Sequence, residues 1–588
     1  MRLLAILPFF IAAALAAQAP DTIYFHGDIL TGVGLHASGS STPQHVAALA
    51  ITGGKVSAAG SDAAILPLAD RHTQKIDLHG AFAMPGFNDA HTHTASAGQQ
   101  RLTVDLDGTK SLAEMLQRIK DYAAKAAPGQ WILGGGWDHT KWASKTLPTR
   151  QGIDSVTAGH PALLSRTDGH IAIANTAALG AAGITAKTPD PFGGKFDHAP
   201  DGELTGIVRE APARSLIEAH IPPPTPAMRR QALTIALADA SAHGVTSIQD
   251  YSDWDDFLAL EAMERDHQLH VRVSEWLTFN DPVALLKQHQ AHHALDDPML
   301  HTGMLKGFMD GSLGSRTAAM NAPYSDDPTN SGIPRYDQAR LNAMTAERAA
   351  DGFQIGFHAI GDRANQMALD AFGIARAENV VSMGPPPRDP AKFKAYREQT
   401  NTLRFRIEHA QVLAPGDFDR FAKLHIIASM QPVHLLTDMA WATDRIGPER
   451  AKYAYAWKSM LDHGVTLAFG TDYPVESINP FRGLYSAITR QNEAGTQTFQ
   501  PQEKLNLNEA IYAYTQGSAF AEYAEKKKGR LEPGFFADLV VLDRDITKAT
   551  PQDLLHTRVL RTVVGGKTVY TAPANTAETP YRNAPDLD

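Results

Sequence analysis

Several apolar, strand-like runs in this chain end at or beside a side chain able to bind a metal ion, and that recurrence limits the fold more than any other feature. His91 and His93 close Phe87-Asn-Asp-Ala-His-Thr-His93, and Lys306 sits in Leu305-Lys-Gly-Phe-Met-Asp310. His358 ends Gln354-Ile-Gly-Phe-His358, His409 ends Phe405-Arg-Ile-Glu-His409, and Asp472 ends Leu467-Ala-Phe-Gly-Thr-Asp472. Strands that each deliver one ligand at a C-terminal end describe a (β/α) barrel with a metal site at its mouth. Such a layout points to hydrolysis.

Three further runs are Gly244-Val-Thr-Ser-Ile-Gln-Asp250, Val271-Arg-Val-Ser-Glu-Trp276 and Ile426-Ile-Ala-Ser-Met-Gln431. They bring the candidate strands to eight, the number a closed barrel requires. The barrel is expected over residues 83–521, interrupted after its first strand by an insertion, residues 99–241, far longer than an ordinary crossover. The insertion carries Trp131-Ile-Leu-Gly-Gly-Gly-Trp-Asp138 and Ile221-Pro-Pro-Pro-Thr-Pro226, and could lie over the barrel mouth. Its glycine run lacks the Lys-Ser/Thr of a phosphate loop. Strand-like segments near both ends predict one small β-sandwich over residues 20–82 and 522–575, since two lone hairpins would each leave an apolar face uncovered. Residues 576–588 read as a polar tail.

The chain has 588 residues and no cysteine, so any metal must be held by histidine, carboxylate or lysine-derived groups. A net charge of −10 argues against nucleic acid and anionic membranes as partners. Residues 1–19 combine one arginine, a short apolar core and small residues of Ala-x-Ala type, which predicts a cleaved secretory signal. An uncleaved anchor is the alternative, but the apolar run is short for a span. The mature chain is therefore expected in a periplasm or the outside medium, free of the membrane.

Strand parity puts His91 and His93 on one face, with Asp89 placed to orient an imidazole. Taken singly, His358 and His409 are ordinary core histidines and Asp472 an ordinary turn residue. Their joint occurrence at strand ends makes them candidate ligands. Lys306 is the unusual member. Burial beside cations would lower its pKa, and a neutral amine can take up carbon dioxide as a carbamate that offers one oxygen to each of two metals. A plain lysine in a one-metal site is the alternative.

These stretches resemble the amidohydrolase superfamily, and within it the amidohydrolase-3 branch of YtcJ-like and N-substituted formamide deformylase-like enzymes. The resemblance is carried by Met84-Pro-Gly-Phe-Asn-Asp-Ala-His-Thr-His93, Ser165-Arg-Thr-Asp-Gly-His170 and Lys306-Gly-Phe-Met-Asp-Gly-Ser-Leu-Gly-Ser-Arg316. It continues in His358-Ala-Ile-Gly-Asp-Arg363, Arg406-Ile-Glu-His-Ala-Gln411, Ser429-Met-Gln-Pro-Val-His434 and Gly470-Thr-Asp-Tyr-Pro-Val475. It implies an α/β chain with a distorted (β/α)8 TIM barrel, a small β-sandwich domain built from both chain ends and an insertion after the first barrel strand. It also implies zinc on His91, His93, His358 and His409, with Lys306 carboxylated as a bridge and Asp472 as a metal-proximal general base.

One or two divalent ions, zinc first among them, would activate water and polarise a carbonyl, while Asp472 moves the proton to the departing amine. The expected reaction is cleavage of a non-peptide, amide-like C–N bond in a small molecule. An ester, lactone or carbamate could be attacked at the same site, and an inactive secreted binding protein is the reading from another class. Trp137, Asp168, His170, Arg316 and His434 are candidate substrate contacts through stacking, hydrogen bonds and a cation. Each also has a plain structural reading, such as Asp168 capping a turn or Arg316 pairing with a carboxylate. A homodimer is one assembly open to such a chain.

Overall fold

The computed structural model describes residues 19–139, 142–166, 171–191, 194–383 and 403–573. Eight parallel strands follow one another around a single sheet in chain order. They are β1 (Phe87–Thr92), β2 (Val245–Tyr251), β3 (Arg272–Thr278), β4 (Leu300–Phe308), β5 (Ile355–Ala359), β6 (Arg406–His409), β7 (Ile427–Met430) and β8 (Leu467–Phe469). All eight runs expected to be barrel strands are therefore strands of one barrel. Their residues are almost all buried, as parallel strands covered by helices must be. The covering helices include Pro226–Ala242 and Trp254–Arg265. The first is capped by Thr225, whose hydroxyl accepts from the Met228 N–H with a proline at the first turn. The second opens with a reciprocal capping box between Asp253 and Asp256.

Among the described residues no ladder joins β1 to β8. The gap is closed differently. Asp472 donates its N–H to the His91 carbonyl at 2.7 Å and His93 donates to the Tyr473 carbonyl at 2.7 Å. Asp89 completes the seam: its carboxylate accepts from the Thr471 N–H at 3.0 Å, the Thr471 hydroxyl at 2.6 Å and the His91 N–H at 3.1 Å. A Cβ on Gly470 would lie 2.7 Å from that carboxylate and 2.6 Å from the His91 nitrogen, so the close approach needs glycine. Asp89 thus binds backbone and Thr471 rather than orienting an imidazole, a correction to the parity argument.

The first apolar run, which the sequence reads as one barrel strand over Ala81–His93, splits in two. Phe82–Pro85 leaves the barrel and pairs antiparallel with Leu539–Leu542, joining a six-stranded sheet that takes strands from both chain ends. A four-stranded sheet (Lys55–Gly60, Ala48–Thr52, Thr22–Phe25, Gln74–Asp77) faces it. Tyr24, Ile29, Leu49, Ile51, Leu539, Val541 and Val563 share one apolar core between them.

After β1 the chain builds a separate six-stranded sheet, from Val104–Asp105 through Ile132–Trp137 and Ala162–Arg166 to Lys195–His198, with cores on both faces. The glycine run is a strand here. A Cβ on Gly134, at φ +137°, would meet the Val104 carbonyl at 2.1 Å. Helix Pro226–Ala242, counted within the insertion by the sequence reading, instead buries Leu233, Ala236, Leu237 and Ala240 in the barrel core. Among the described residues, no helix is long and apolar enough to cross a membrane.

Candidate metal centre

At the C-terminal mouth the strand ends converge. His91 is fully buried on β1, and His93 caps the helix Thr94–Arg101 that follows. Their Nε2 atoms approach Asp472 Oδ1 at 3.5 and 3.1 Å. The other nitrogens are held from behind: His91 Nδ1 lies 2.9 Å from Glu408 Oε2, and His93 Nδ1 lies 3.1 Å from the Tyr251 carbonyl. A neutral imidazole pinned through Nδ1–H presents Nε2 as the ligand atom.

Lys306 points inward from β4, with Nζ 2.8 Å from His91 Nε2 and 5.1 Å from the ring centres of Trp276 and Phe308. Burial pushes its amine down to about 8, against the opposing pull of Glu408 and Asp472. His358 on β5 stands with its ring 4.5 Å from that of His409, while its Nε2 lies 3.1 Å from the Gly311 carbonyl. Burial, then the Lys306 charge, pushes the His358 imidazole down to about 3, and burial with Lys306 pushes His91 down to about 4. The imidazoles are thereby kept neutral, as ligands must be.

His409 and Asp472 lie at the ends of β6 and β8 in left-handed backbone, φ +73° and +60°. Non-glycine residues held there are uncommon and gather at functional sites. Burial alone would raise the Asp472 carboxyl, but His91, His93 and His409 together hold it well below the usual range. His434, at the start of helix His434–Asp438, brings Nε2 to 3.7 Å from Asp472 Oδ2 and stacks 5.9 Å from His409.

Two buried atoms here, His409 Nδ1 and His434 Nε2, have no hydrogen-bond partner, and Asp472 Oδ1 faces the Nε2 atoms of His91 and His93. Buried polar atoms are ordinarily satisfied, so two orphans beside a carboxylate ringed by imidazole nitrogens mark a place for a cation. The donor atoms of His91, His93 and Asp472 lie within 4.8 Å of one another, and so do those of His409, His434 and Asp472. A nitrogen and oxygen donor set without thiolate suits a borderline divalent ion such as zinc. The residues fit the group.

The other candidates fall elsewhere. Trp137 is fully buried in the insertion core, its indole N–H spent on the Leu164 carbonyl at 3.0 Å. That corrects its reading as a substrate-stacking residue: its apolar ring is needed to fill the sheet's own core. Arg316 forms a two-pronged ion pair with Asp326 at 2.9 and 3.1 Å, so its charge is already matched and it corrects to the structural alternative. Asp168 and His170 lie outside the described residues. Sequence reasoning missed Glu408 and Arg406. Glu408 is held down to about 2, because Arg406 and His91 outweigh its burial. Arg406 bonds it, Gln249, Ser429 and the Ala90 carbonyl. The alternation of Arg406, Glu408 and His409 within one short run was the available signal.

Comparison with known proteins agrees with this architecture. The Amidohydrolase family model matches residues 74–570. The chain is 34% identical to Protein LONG AFTER FAR-RED 3 of Arabidopsis thaliana, over 94% of this chain and 92% of that one. It is 32% identical to the putative amidohydrolase YtcJ of Bacillus subtilis, over 85% and 90%. It is 25% identical to N-substituted formamide deformylase of Arthrobacter pascens, over 88% and 94%. An uncharacterized metal-dependent hydrolase from Pyrococcus horikoshii superposes with a TM-score of 0.74 at 28% identity, covering 90% of this chain and 99% of that one. The chain therefore belongs to the amidohydrolase family, a metal-dependent hydrolase fold whose donor cluster sits at the mouth of its barrel.

Proposed function

We propose that this protein is a zinc-dependent hydrolase of an amide-like, non-peptide C–N bond in a small molecule. The observation that carries the reading is Asp472, whose Oδ1 faces the Nε2 atoms of His91 and His93 and whose Oδ2 faces His434. A divalent ion held there would supply water activation and polarisation of a carbonyl oxygen. His91 and His93, with Asp472, would hold one ion, and His358, His409 and Lys306 a second. Taking up carbon dioxide, the Lys306 amine would lose a proton and form an N–C bond, giving a carbamate that would add anionic oxygens to the donor set.

Asp472 accepts the proton of the attacking water and delivers it to the departing nitrogen, which leaves as an amine. The neighbouring imidazoles keep its carboxylate ionised, so it enters the reaction without a proton of its own. Glu408 fixes the His91 tautomer. His434, beside Asp472, is placed to hydrogen-bond a substrate oxygen. Likeness to N-substituted formamide deformylase supports a carbonyl–nitrogen bond as the target.

The test is metal analysis of purified protein by plasma mass spectrometry beside a Lys306→Ala variant, followed by turnover assays on N-substituted formamides and matched esters. About two zinc per chain, falling in the variant, with amides preferred, is the expected result. One ion in both proteins would return Lys306 to the one-metal alternative. No metal after zinc reconstitution would overturn the hydrolase reading.

A further inference from the structure

The charges along the barrel axis answer one another in a column: Glu408 with Arg406, Arg406 with Gln249, and both Asn88 and Lys528 with Glu522. Gln249 reaches Asn88 at 3.5 Å, which makes the column continuous. Outside the barrel a second group of charges is left unbalanced. Glu261 and Glu264 sit three residues apart on the helix Trp254–Arg265, so they share one face of it. His293 follows the end of the helix Val283–His292, and Asp297 precedes β4. Among the described residues, the ion pairs of these three carboxylates are all with His292 or His293, and none is with a lysine or arginine.

His293 is the centre of the group. Its ring meets Phe257 edge-on at 5.9 Å, and its Nδ1 lies 3.1 Å from Glu261 Oε1. A carboxylate behind Nδ1 fixes the tautomer that presents Nε2 as a ligand. Nε2 is buried, makes no hydrogen bond, and stands 3.5 Å from Glu264 Oε2 and 3.8 Å from Asp297 Oδ2. An imidazolium clasped by two carboxylates would draw in to about 2.7–2.9 Å. Asp297 Oδ1 already accepts from the Met299 and Leu300 N–H groups at 2.7 and 3.2 Å, which leaves Oδ2 to face the ring. Donor atoms of Glu264, His293 and Asp297 all lie within 4.8 Å of one another. A tetrahedral ion with bonds of about 2.0–2.1 Å sets its ligands about 3.3–3.4 Å apart, close to the spacings around Nε2. Burial, then the Asp297 charge, pushes the Glu264 carboxyl up to about 7, as expected of two carboxylates with too little positive charge between them.

We propose that Glu264, His293 and Asp297 bind one borderline divalent ion, zinc first, on the outside of the barrel, with water in the fourth position. The ion ties the helix after β2 and the helix after β3 to the entry of β4, a structural role rather than a catalytic one. The three side chains are 15–27% exposed, so this ion exchanges with solvent more readily than one at the buried barrel mouth. Added metal fills the site and dialysis empties it. The site does not depend on which bond is hydrolysed at the mouth, or on how many ions sit there.

Calorimetric titration with zinc chloride of the full-length protein, loaded at the barrel mouth and then dialysed, tests this. Calcium chloride, which seeks oxygen ligands only, is the control. One saturable zinc event per chain is expected, with calcium far weaker. In Glu264→Gln and His293→Phe the event should weaken by more than about tenfold, the least that altering even a ligand's own partner costs. Zinc should also raise the unfolding midpoint of the wild type and leave that of both variants where it was. Glu264→Gln keeps the side-chain shape and His293→Phe keeps a ring against Phe257, so a fold lost in one leaves the other to read. A zinc event of wild-type strength in both variants would place the ion elsewhere and overturn the proposal. Equal binding of calcium, or no saturable heat in the wild type, would overturn it too.

Discussion

The barrel and the sandwich are both closed, buried interiors, yet they are filled in opposite ways. The sandwich core is Ile29, Leu49, Ile51, Leu539, Val541 and Val563, groups that any close-packed neighbour can satisfy. The barrel axis holds Lys306, Arg406, Glu408, Glu522 and Lys528, each with few acceptable partners in fixed directions. An apolar interior stores stability in shared volume, so damage there is graded and diffuse. A charged interior stores specificity, because removing one member strands another buried charge. The same chain therefore separates a region that holds it together from a region that aims its chemistry.

The largest effect expected is at the top of the charged column. Asp472→Asn should lower kcat by about 10²–10⁴-fold, the range a positioned proton acceptor supplies, while the urea midpoint moves little; a kcat close to wild type would break the contrast. Next comes the sandwich. Leu539→Ala should cost roughly 2–5 kcal/mol in unfolding free energy, with metal content and KM unchanged. Loss of metal in that variant would show that the two interiors are not separable. Third, Glu408→Gln should weaken metal binding by about 10–100-fold, as expected when the partner behind a candidate ligating histidine is altered, read by competition with a chelator. The smallest is Trp137→Phe, which should cost about 1 kcal/mol for its bond to the Leu164 carbonyl and leave kcat/KM alone. A large rise in KM would restore Trp137 to the substrate site.

The contrast also explains what could be read in the chain beforehand. All eight barrel strands were legible because each is an apolar run with a polar terminus, a signal contained in a few neighbouring residues. The residues those ends deliver, from His91 to Asp472, were legible for the same reason. Asn88, Gln249, Arg406 and Glu408 were not, because each sits inside a strand and finds its partner across the closed barrel, far away in sequence. Asp89 has the parity of a ligand-orienting residue, but its role is set by Thr471, which only closure of the seam brings near. Trp137 misled for the converse reason. An aromatic beside glycines looks like a binding surface until a second sheet is seen to bury it. His434 could be named but not placed, since its approach to Asp472 depends on where a short helix begins.

The mixed parentage of the sandwich has a consequence for how the protein is made. Strand Phe82–Pro85 lies between Asp28–Leu30, which precedes it, and Leu539–Leu542, which the ribosome supplies only after the whole barrel. At about 5–20 residues per second, translation leaves that strand without its second partner for tens of seconds. For that interval it presents an apolar edge able to pair with any other strand. A chain stopped anywhere short of Leu539 keeps that edge for life. The last strands to emerge thus act as a seal, distinguishing a finished polypeptide from a fragment before any substrate is met.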